Sequence, residues 1–261
     1  MTTIATIDDI GDIADKAAAL RALHRPGEPL VLPNVWDAAS ARTVQAAGFP
    51  VIATGSAAVA PALGYPDGEA APAAEVLGAV ARIARAVDLP VTADMERGYG
   101  MRPAELVERL AAAGAVGCNL EDSHPPTGEL IDADEQAEFL AAVRAAAIEA
   151  GTGLVINARV DLPADEREDL VRRARLYAAA GADCVYPIRV GDPELIGALV
   201  KEIEAPVNVL FRPGSPPLSE LAALGVARVS YGHGLHSAVQ SYLGRMAEVI
   251  REGRSPYGSA E

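Results

Sequence analysis

Cysteine is scarce. Cys118 and Cys184 each sit in an apolar, strand-like run and neither belongs to a C-x-x-C pair. A disulfide framework and a cysteine zinc site are therefore not expected; two buried thiols in a reducing, cytoplasmic compartment are. Aromatic residues make up only 4% of the chain against 50% hydrophobic residues, so the core must be built from Ala, Val, Leu and Ile. Basic residues are outnumbered, 22 against 36 acidic ones, for a formal charge of −14. That balance speaks against a nucleic-acid binder, which needs a basic face. It leaves room for an anionic substrate, because one arginine or one metal ion reverses the local field. No uninterrupted apolar stretch reaches the roughly 18 residues of a membrane span, and Met1–Asp9 carries no basic-then-apolar leader, so neither a membrane anchor nor a signal peptide is expected.

What is present is a repeat. Eight short apolar runs are each followed by a polar loop and an Ala-rich amphipathic segment: Leu30–Asn34, Val51–Gly55, Val91–Met95, Val116–Asp122, Leu154–Val160, Cys184–Ile188, Val207–Leu210 and Arg228–Gly232. The helices between them run over about 37–47, 73–87, 103–113, 133–150, 165–180, 193–202, 218–224 and 236–251, after a leading helix over 10–23. Several close on Ala-Gly, as at Ala47-Gly48 and Ala180-Gly181, where glycine takes the left-handed cap; Asp37 and Asp192 fit N-caps. Strict alternation requires parallel strands with crossover helices, and eight units in 261 residues predict one closed (β/α)₈ TIM-type barrel spanning residues 1–261, with a loose tail from Gly253. A doubly wound sheet would place a Gly-rich phosphate turn after its first strand, where this chain has Val35-Trp36-Asp37.

In such a barrel the chemistry collects at the carboxyl ends of the strands. The stretch Thr92-Ala93-Asp94-Met95-Glu96-Arg97-Gly98-Tyr99-Gly100 ends a strand with two carboxylates and a glycine-rich turn. Strand alternation puts Asp94 and Glu96 on one face, where like charges call for a cation or a proton between them; oxygen ligands suit Mg²⁺ or Mn²⁺. Asp67, in the loop after strand two, and Glu121, at the end of strand four, would join them on the rim, with Arg159 of strand five opposite. Four carboxylates and an arginine suit a divalent cation and a small carboxylate substrate. Ser56 and Ala57 follow strand two, Asn208 and Arg212 close strand seven, and Tyr231 and His233 close strand eight; of these Ser56, Ala57 and Asn208 are candidate substrate contacts, beside Asp94 and Arg159. Asp122 and Asp161 read as helix caps or surface charges.

These motifs resemble the isocitrate lyase/phosphoenolpyruvate mutase superfamily over nearly the whole chain, from Asn34 to about Ser237. The Asp-x-Asp-x-Gly-Tyr-Gly signature is matched by Asp94–Gly100, and Gly55-Ser56, Gly64–Asp67, Leu120–Asp122 and Asn157–Asp161 match in order and spacing. The resemblance implies direct Mg²⁺ ligation by Asp94, water-mediated roles for Asp67, Glu96 and Glu121, and capture of an α-oxo carboxylate by backbone groups near Ser56 and Ala57 and by Arg159. It implies passage through a metal-bound enolate, hence C–C lysis or decarboxylation of a small oxo or 2-hydroxy acid. C–P chemistry, or an oxo-acid-binding barrel without turnover, are the alternatives. It also implies a dimer or tetramer that exchanges its last helix.

The chain departs from the family at two places. Glu96 stands where Asp is usual. The loop after Asp122 reads Ser123-His124-Pro125-Pro126-Thr127-Gly128-Glu129-Leu130, without the Cys of the isocitrate lyases or the Lys-x-Asn of the mutases. Those lyase activities are therefore not expected, and His124, Tyr65 or water remains to supply a proton.

Overall fold

The computed structural model describes residues 7–125 and 127–257. Pro126 of the loop, the first six residues and the end of the tail lie outside them. After the leading helix α1 (Ile7–Ala22) come β1 (Leu30–Leu32), β2 (Asn34–Val35), α2 (Ala38–Ala46), β3 (Ile52–Thr54), α3 (Ser56–Leu63), α4 (Ala73–Ala84), β4 (Val91–Asp94), α5 (Pro103–Ala112) and β5 (Gly117–Glu121). A hairpin of β6 (Ser123–His124) and β7 (Glu129–Leu130) follows. The chain continues through α6 (Ala133–Glu149), β8 (Val155–Val160), α7 (Arg167–Ala179), β9 (Cys184–Pro187), α8 (Pro193–Ile203), β10 (Asn208–Leu210), α9 (Leu218–Ala223), β11 (Arg228–Ser230) and α10 (Gly234–Arg251).

The strands run in the order a (β/α)₈ fold requires, hydrogen-bonded as two parallel sheets, β2-β3-β4-β5-β8-β9 and β1-β11-β10. The first barrel strand belongs to both sheets, because Pro33 has no amide hydrogen to donate and splits it into β1 and β2. On the other side the sheets meet through one parallel bridge, Val185 to Val207. The barrel wall is thus a ladder with a weak seam at β9–β10 instead of eight uniform pairings.

The expected caps are in place. The Asp37 carboxylate accepts from Ser40 N at 2.7 Å and that of Asp192 from Leu195 N at 2.9 Å. Pro103 opens α5, and Gly181 at φ +102° ends the turn after α7. One helix was not expected. α3 occupies what reads as a loop, because Pro61 sits inside it and its apolar residues show no polar alternation. Its effect is to point a helix N-terminus, Ser56 and Ala57, at the end of β4.

Cores form between sheet and helices, the largest gathering Met95, Leu106, Leu120, Leu140, Ile156 and Tyr177. Helix α10 stands apart. No residue of it is buried, and Val239, Tyr242, Leu243 and Ile250 are 49–58% exposed. No described helix is long and apolar enough to cross a membrane.

Candidate active site

The carboxyl ends of the strands bring most of the expected residues together. Two adjoining cavities open there. The larger, about 940 Å³, is lined among others by Asn34, Ser56, Ala57, Asp67, Asp94, Asn119, Arg159 and Tyr231. The smaller, about 170 Å³, lies under the hairpin against Asp67, Glu96, Glu121, His124, Arg159 and Asp161. Asp67 and Arg159 face both.

Asp94 ends β4. Its amide donates to Thr54 Oγ1 at 2.9 Å, and its Oδ2 accepts from Ser56 N, at the head of α3, at 3.0 Å. Its Oδ1 is buried without a partner. An orphaned carboxylate oxygen inside a protein is costly. Glu96 does not reach the site by strand alternation, as the sequence suggests. The strand stops at Asp94, Met95 turns into the core, and Glu96 adopts φ +47°. Its Oε1 accepts from Tyr99 Oη at 2.5 Å and its Oε2 from Glu69 N at 2.9 Å. Glu69, itself at φ +57°, accepts from Arg97 N and Tyr99 N. Glu96 and Glu69 therefore clasp the loop after β3 to the loop after β4, which sets where Asp67 stands. Nothing in the sequence singles out Glu69, since an acidic residue in a glycine-rich loop reads as solvated.

Burial pushes Glu96 up to about 7, with Tyr99 opposing and Asp67 and Asp94 adding repulsion. Burial also raises Asp67 and Glu121, and Asp94 repels both. Each carboxyl is thus strained toward its neutral form by lost water and by like charge. Arg159 counters this at Glu121 and Asp67. Its Nη1 pairs with Glu121 Oε2 at 2.6 Å and its Nε with Asp161 Oδ1 at 2.7 Å. Burial works against its charge, but Glu121, Asp161 and Asp94 prevail and raise it.

Asp122 and Asp161 are neither caps nor surface charges. Asp122 is fully buried; its Oδ1 accepts from Asp161 N at 2.8 Å, and its Oδ2 from Tyr177 Oη at 2.8 Å and Arg173 Nη1 at 3.1 Å. Asp161 holds Arg159 and accepts from Ser123 Oγ at 2.7 Å. A chain of contacts thus runs from α7 to the guanidinium at the cavity.

Two expected residues fall outside the site. Tyr65 turns its hydroxyl outward onto Glu75 Oε1 at 2.9 Å and lines neither cavity, because the loop after α3 leads it toward α4. Asn208 is sealed against Ser230, donating through Nδ2 to Oγ at 3.1 Å, so it braces β10 on β11 instead of meeting a substrate. His124 is exposed on the hairpin at the edge of the smaller cavity. Asn34 also belongs to the rim: its Oδ1 accepts from Tyr231 N and Gly232 N at 2.8 and 2.9 Å, tying the first strand to the last.

Among the described residues no three His, Cys, Asp or Glu side chains stand close enough to ligate one ion directly. The donor set nevertheless fits a hard dication held by one direct ligand and outer carboxylates. It is all oxygen, it is crowded with mutually repelling acids, and it contains the unpartnered Asp94 Oδ1.

Comparison with known proteins agrees with this fold. The family model described as phosphoenolpyruvate phosphomutase matches residues 20–251. A solved structure described as a putative phosphonomutase from Burkholderia cenocepacia J2315 is 48% identical, covering 90% of this chain and 99% of its own, with a TM-score of 0.85. Oxaloacetate decarboxylase 2 of Pseudomonas fluorescens (strain Pf0-1) is 30% identical over 235 residues, 87% of this chain and 80% of that protein. A phosphonopyruvate hydrolase solved with oxalate and Mg²⁺ is 28% identical, covering 92% of this chain and 88% of its own, with a TM-score of 0.78. The chain belongs to the phosphoenolpyruvate mutase family of the isocitrate lyase/phosphoenolpyruvate mutase superfamily, whose members are lyases, mutases and hydrolases.

Proposed function

We propose that this protein is a Mg²⁺-dependent enzyme that cleaves a C–C bond in a small α-oxo or 2-hydroxy carboxylate, as a lyase or decarboxylase. The observation that carries the reading is the pairing, across one cavity, of the orphaned Asp94 Oδ1 with the Arg159 guanidinium. Asp94 would hold the cation directly, and Asp67, Glu96 and Glu121 would act through its bound waters. When bound, the cation supplies Lewis-acid stabilisation of negative charge growing on the substrate oxygen.

The chain's own residues do the rest. Arg159 has Nε and Nη1 committed to Asp161 and Glu121, which fixes its plane and leaves Nη2 for the substrate carboxylate. The first turn of α3 spends the Ser56 N–H on Asp94 and offers the Ala57 N–H and the positive end of the helix to a substrate anion. The hairpin of β6 and β7 lines the smaller cavity. After cleavage a proton must return to carbon. His124 is the only ordinary base on that hairpin, but its exposure favours delivery by water. Similarity to oxaloacetate decarboxylases supports C–C cleavage. The 48% identity to a putative phosphonomutase supports C–P chemistry as the second reading.

The test is a panel of oxaloacetate, 2-hydroxy diacids and phosphonopyruvate, followed for pyruvate, CO₂ and phosphate with Mg²⁺ and with EDTA. Metal-dependent C–C cleavage is the expected result. Phosphate release from phosphonopyruvate alone would replace it with the C–P reading, and no turnover of any compound would leave a binding protein. The unburied α10 supports assembly with other copies of the chain into a dimer or tetramer, since an amphipathic helix needs a surface to cover its apolar side.

A further inference from the structure

Beneath the rim, the barrel interior holds an unusual residue. Arg228 opens β11 and is 1% exposed, yet it has no carboxylate partner there. Its single hydrogen bond runs from Nη2 to Asn119 Oδ1 at 3.2 Å, while Nε and Nη1 have no partner. Asn119 sits beside Asp94 in the β4–β5 register and beside Asn157 in the β5–β8 register. Asn157 Nδ2 also donates to Asn119 Oδ1, at 2.8 Å.

These contacts decide which way the Asn119 amide points. An asparagine can be turned over without changing its shape, and only its neighbours fix the choice. Arg228 can only donate, so the atom facing it must be the oxygen. With Oδ1 drawn down by two donors, the Nδ2 group is left for the cavity, which Asn119 lines beside Asp94, Ser56 and Arg159. No described residue takes a hydrogen bond from Nδ2, and it is not sealed from the cavity. A neutral donor at that position complements the oxygen-rich end of an anion without adding a charge that would repel the cation.

We propose that Asn119 Nδ2 is a substrate-contacting donor for an oxo-acid oxygen, and that Arg228 is the positioning residue that locks it in that orientation. The assignment rests on the oxo-acid reading of the site. It explains why an arginine is kept in the barrel with two nitrogens unsatisfied: its positive charge makes the reversed amide unfavourable, as an apolar residue at 228 would not.

Calorimetric titration of oxalate in the presence of Mg²⁺ tests this on the wild type, Asn119→Ala, Asn119→Asp, Arg228→Met and Arg228→Lys. Asn119→Ala should weaken oxalate about tenfold or more, the usual effect of losing a hydrogen bond to a charged group. Asn119→Asp is the decisive variant. It gives Arg228 a buried carboxylate, so thermal stability should hold or rise, while oxalate binding falls further because an acceptor now faces the anion. Arg228→Met should weaken oxalate several-fold, and Arg228→Lys should recover most of the loss. Mn²⁺ affinity without oxalate should be unchanged in Asn119→Ala. If the wild type binds oxalate and both Asn119 variants bind it equally well, the assignment is overturned and the oxo-acid reading survives. If the wild type binds no oxalate, that reading fails and takes the assignment with it. Should Arg228→Met fail to fold, Asn119→Asp and Arg228→Lys still decide.

Discussion

Asp122→Asn removes one charge from the interior while barely changing its shape. In the native protein the Asp122 carboxylate is fully buried and receives Asp161 N, Tyr177 Oη and Arg173 Nη1. Asparagine keeps an acceptor for Asp161 N but turns an amide donor toward Arg173, which can only donate, and takes the acceptor from the Tyr177 hydroxyl. Arg173 is only 7% exposed, and its other carboxylate, Asp169, lies one helical turn away on the surface side. Breaking a buried ion pair from one side typically costs about 3–5 kcal/mol, because the remaining charge is stranded. At roughly 2 °C per kcal/mol for a chain of this length, Tm should fall by about 6–10 °C. Arg173→Met on top of Asp122→Asn should recover much of the loss, since removing both partners leaves no stranded charge. The acceptor for Asp161 N survives in Asp122→Asn, so Asp161 keeps its hold on Arg159 and oxalate binding should change little while Tm falls. Calorimetric melting of the single and double variants, with reversibility checked, reads the effect. An unchanged Tm in Asp122→Asn, or losses that simply add in the double variant, would show that the buried pair does not hold α7 to the rim.

Other outcomes follow from the same structure. Arg159→Lys should weaken oxo-acid binding about ten- to a hundredfold by calorimetry, because an ammonium cannot keep Asp161 and Glu121 in place and still grip a carboxylate. Tyr65→Phe should leave kcat and KM unchanged in steady-state assays, its hydroxyl being spent on Glu75. His124→Gln should lower kcat less than tenfold; a loss of a hundredfold or more, with affinity intact, would make His124 the proton donor. His24 is held near a pKa of about 4 by burial, aided by Arg228, below its ordinary 6.5. The unfolded chain takes up that proton first, so the contribution is complete above about pH 6.5 and is lost as pH falls toward 4, amounting to about 2 kcal/mol by pH 5. Denaturant titrations at pH 7 and 5 should show this slope in the wild type and less of it in His24→Gln.

The alternation of strands and helices was legible because each apolar run follows a glycine or proline within three residues, and because the caps at Asp37 and Asp192 are local in sequence. The rim was legible for a related reason: in a parallel barrel, residues that end strands must converge, which placed Asp94, Glu121 and Arg159 together. What escaped depends on distant partners. Asp122 and Asp161 read as solvated because isolated carboxylates usually are; their burial needs Arg173 and Tyr177 of α7. Tyr65 and Asn208 lie at strand or loop ends like the true rim residues, and only the chain's path turns them onto Glu75 and Ser230. Glu96 departs from alternation because its strand is one pairing shorter than the motif suggests. Helix α3 was hidden by Pro61, although the N-terminus it supplies now holds Asp94 Oδ2.

Asp94 is proposed to anchor a divalent cation at this rim. Titration of the purified protein with Mn²⁺, followed by electron paramagnetic resonance of the free ion, measures it without relying on any substrate. One site per chain is expected in the wild type, with competition by Mg²⁺, and loss of that site in Asp94→Ala while Glu96→Asp retains it. A wild type that binds no Mn²⁺, or an Asp94→Ala variant that binds it as tightly, would remove Asp94 as the anchor.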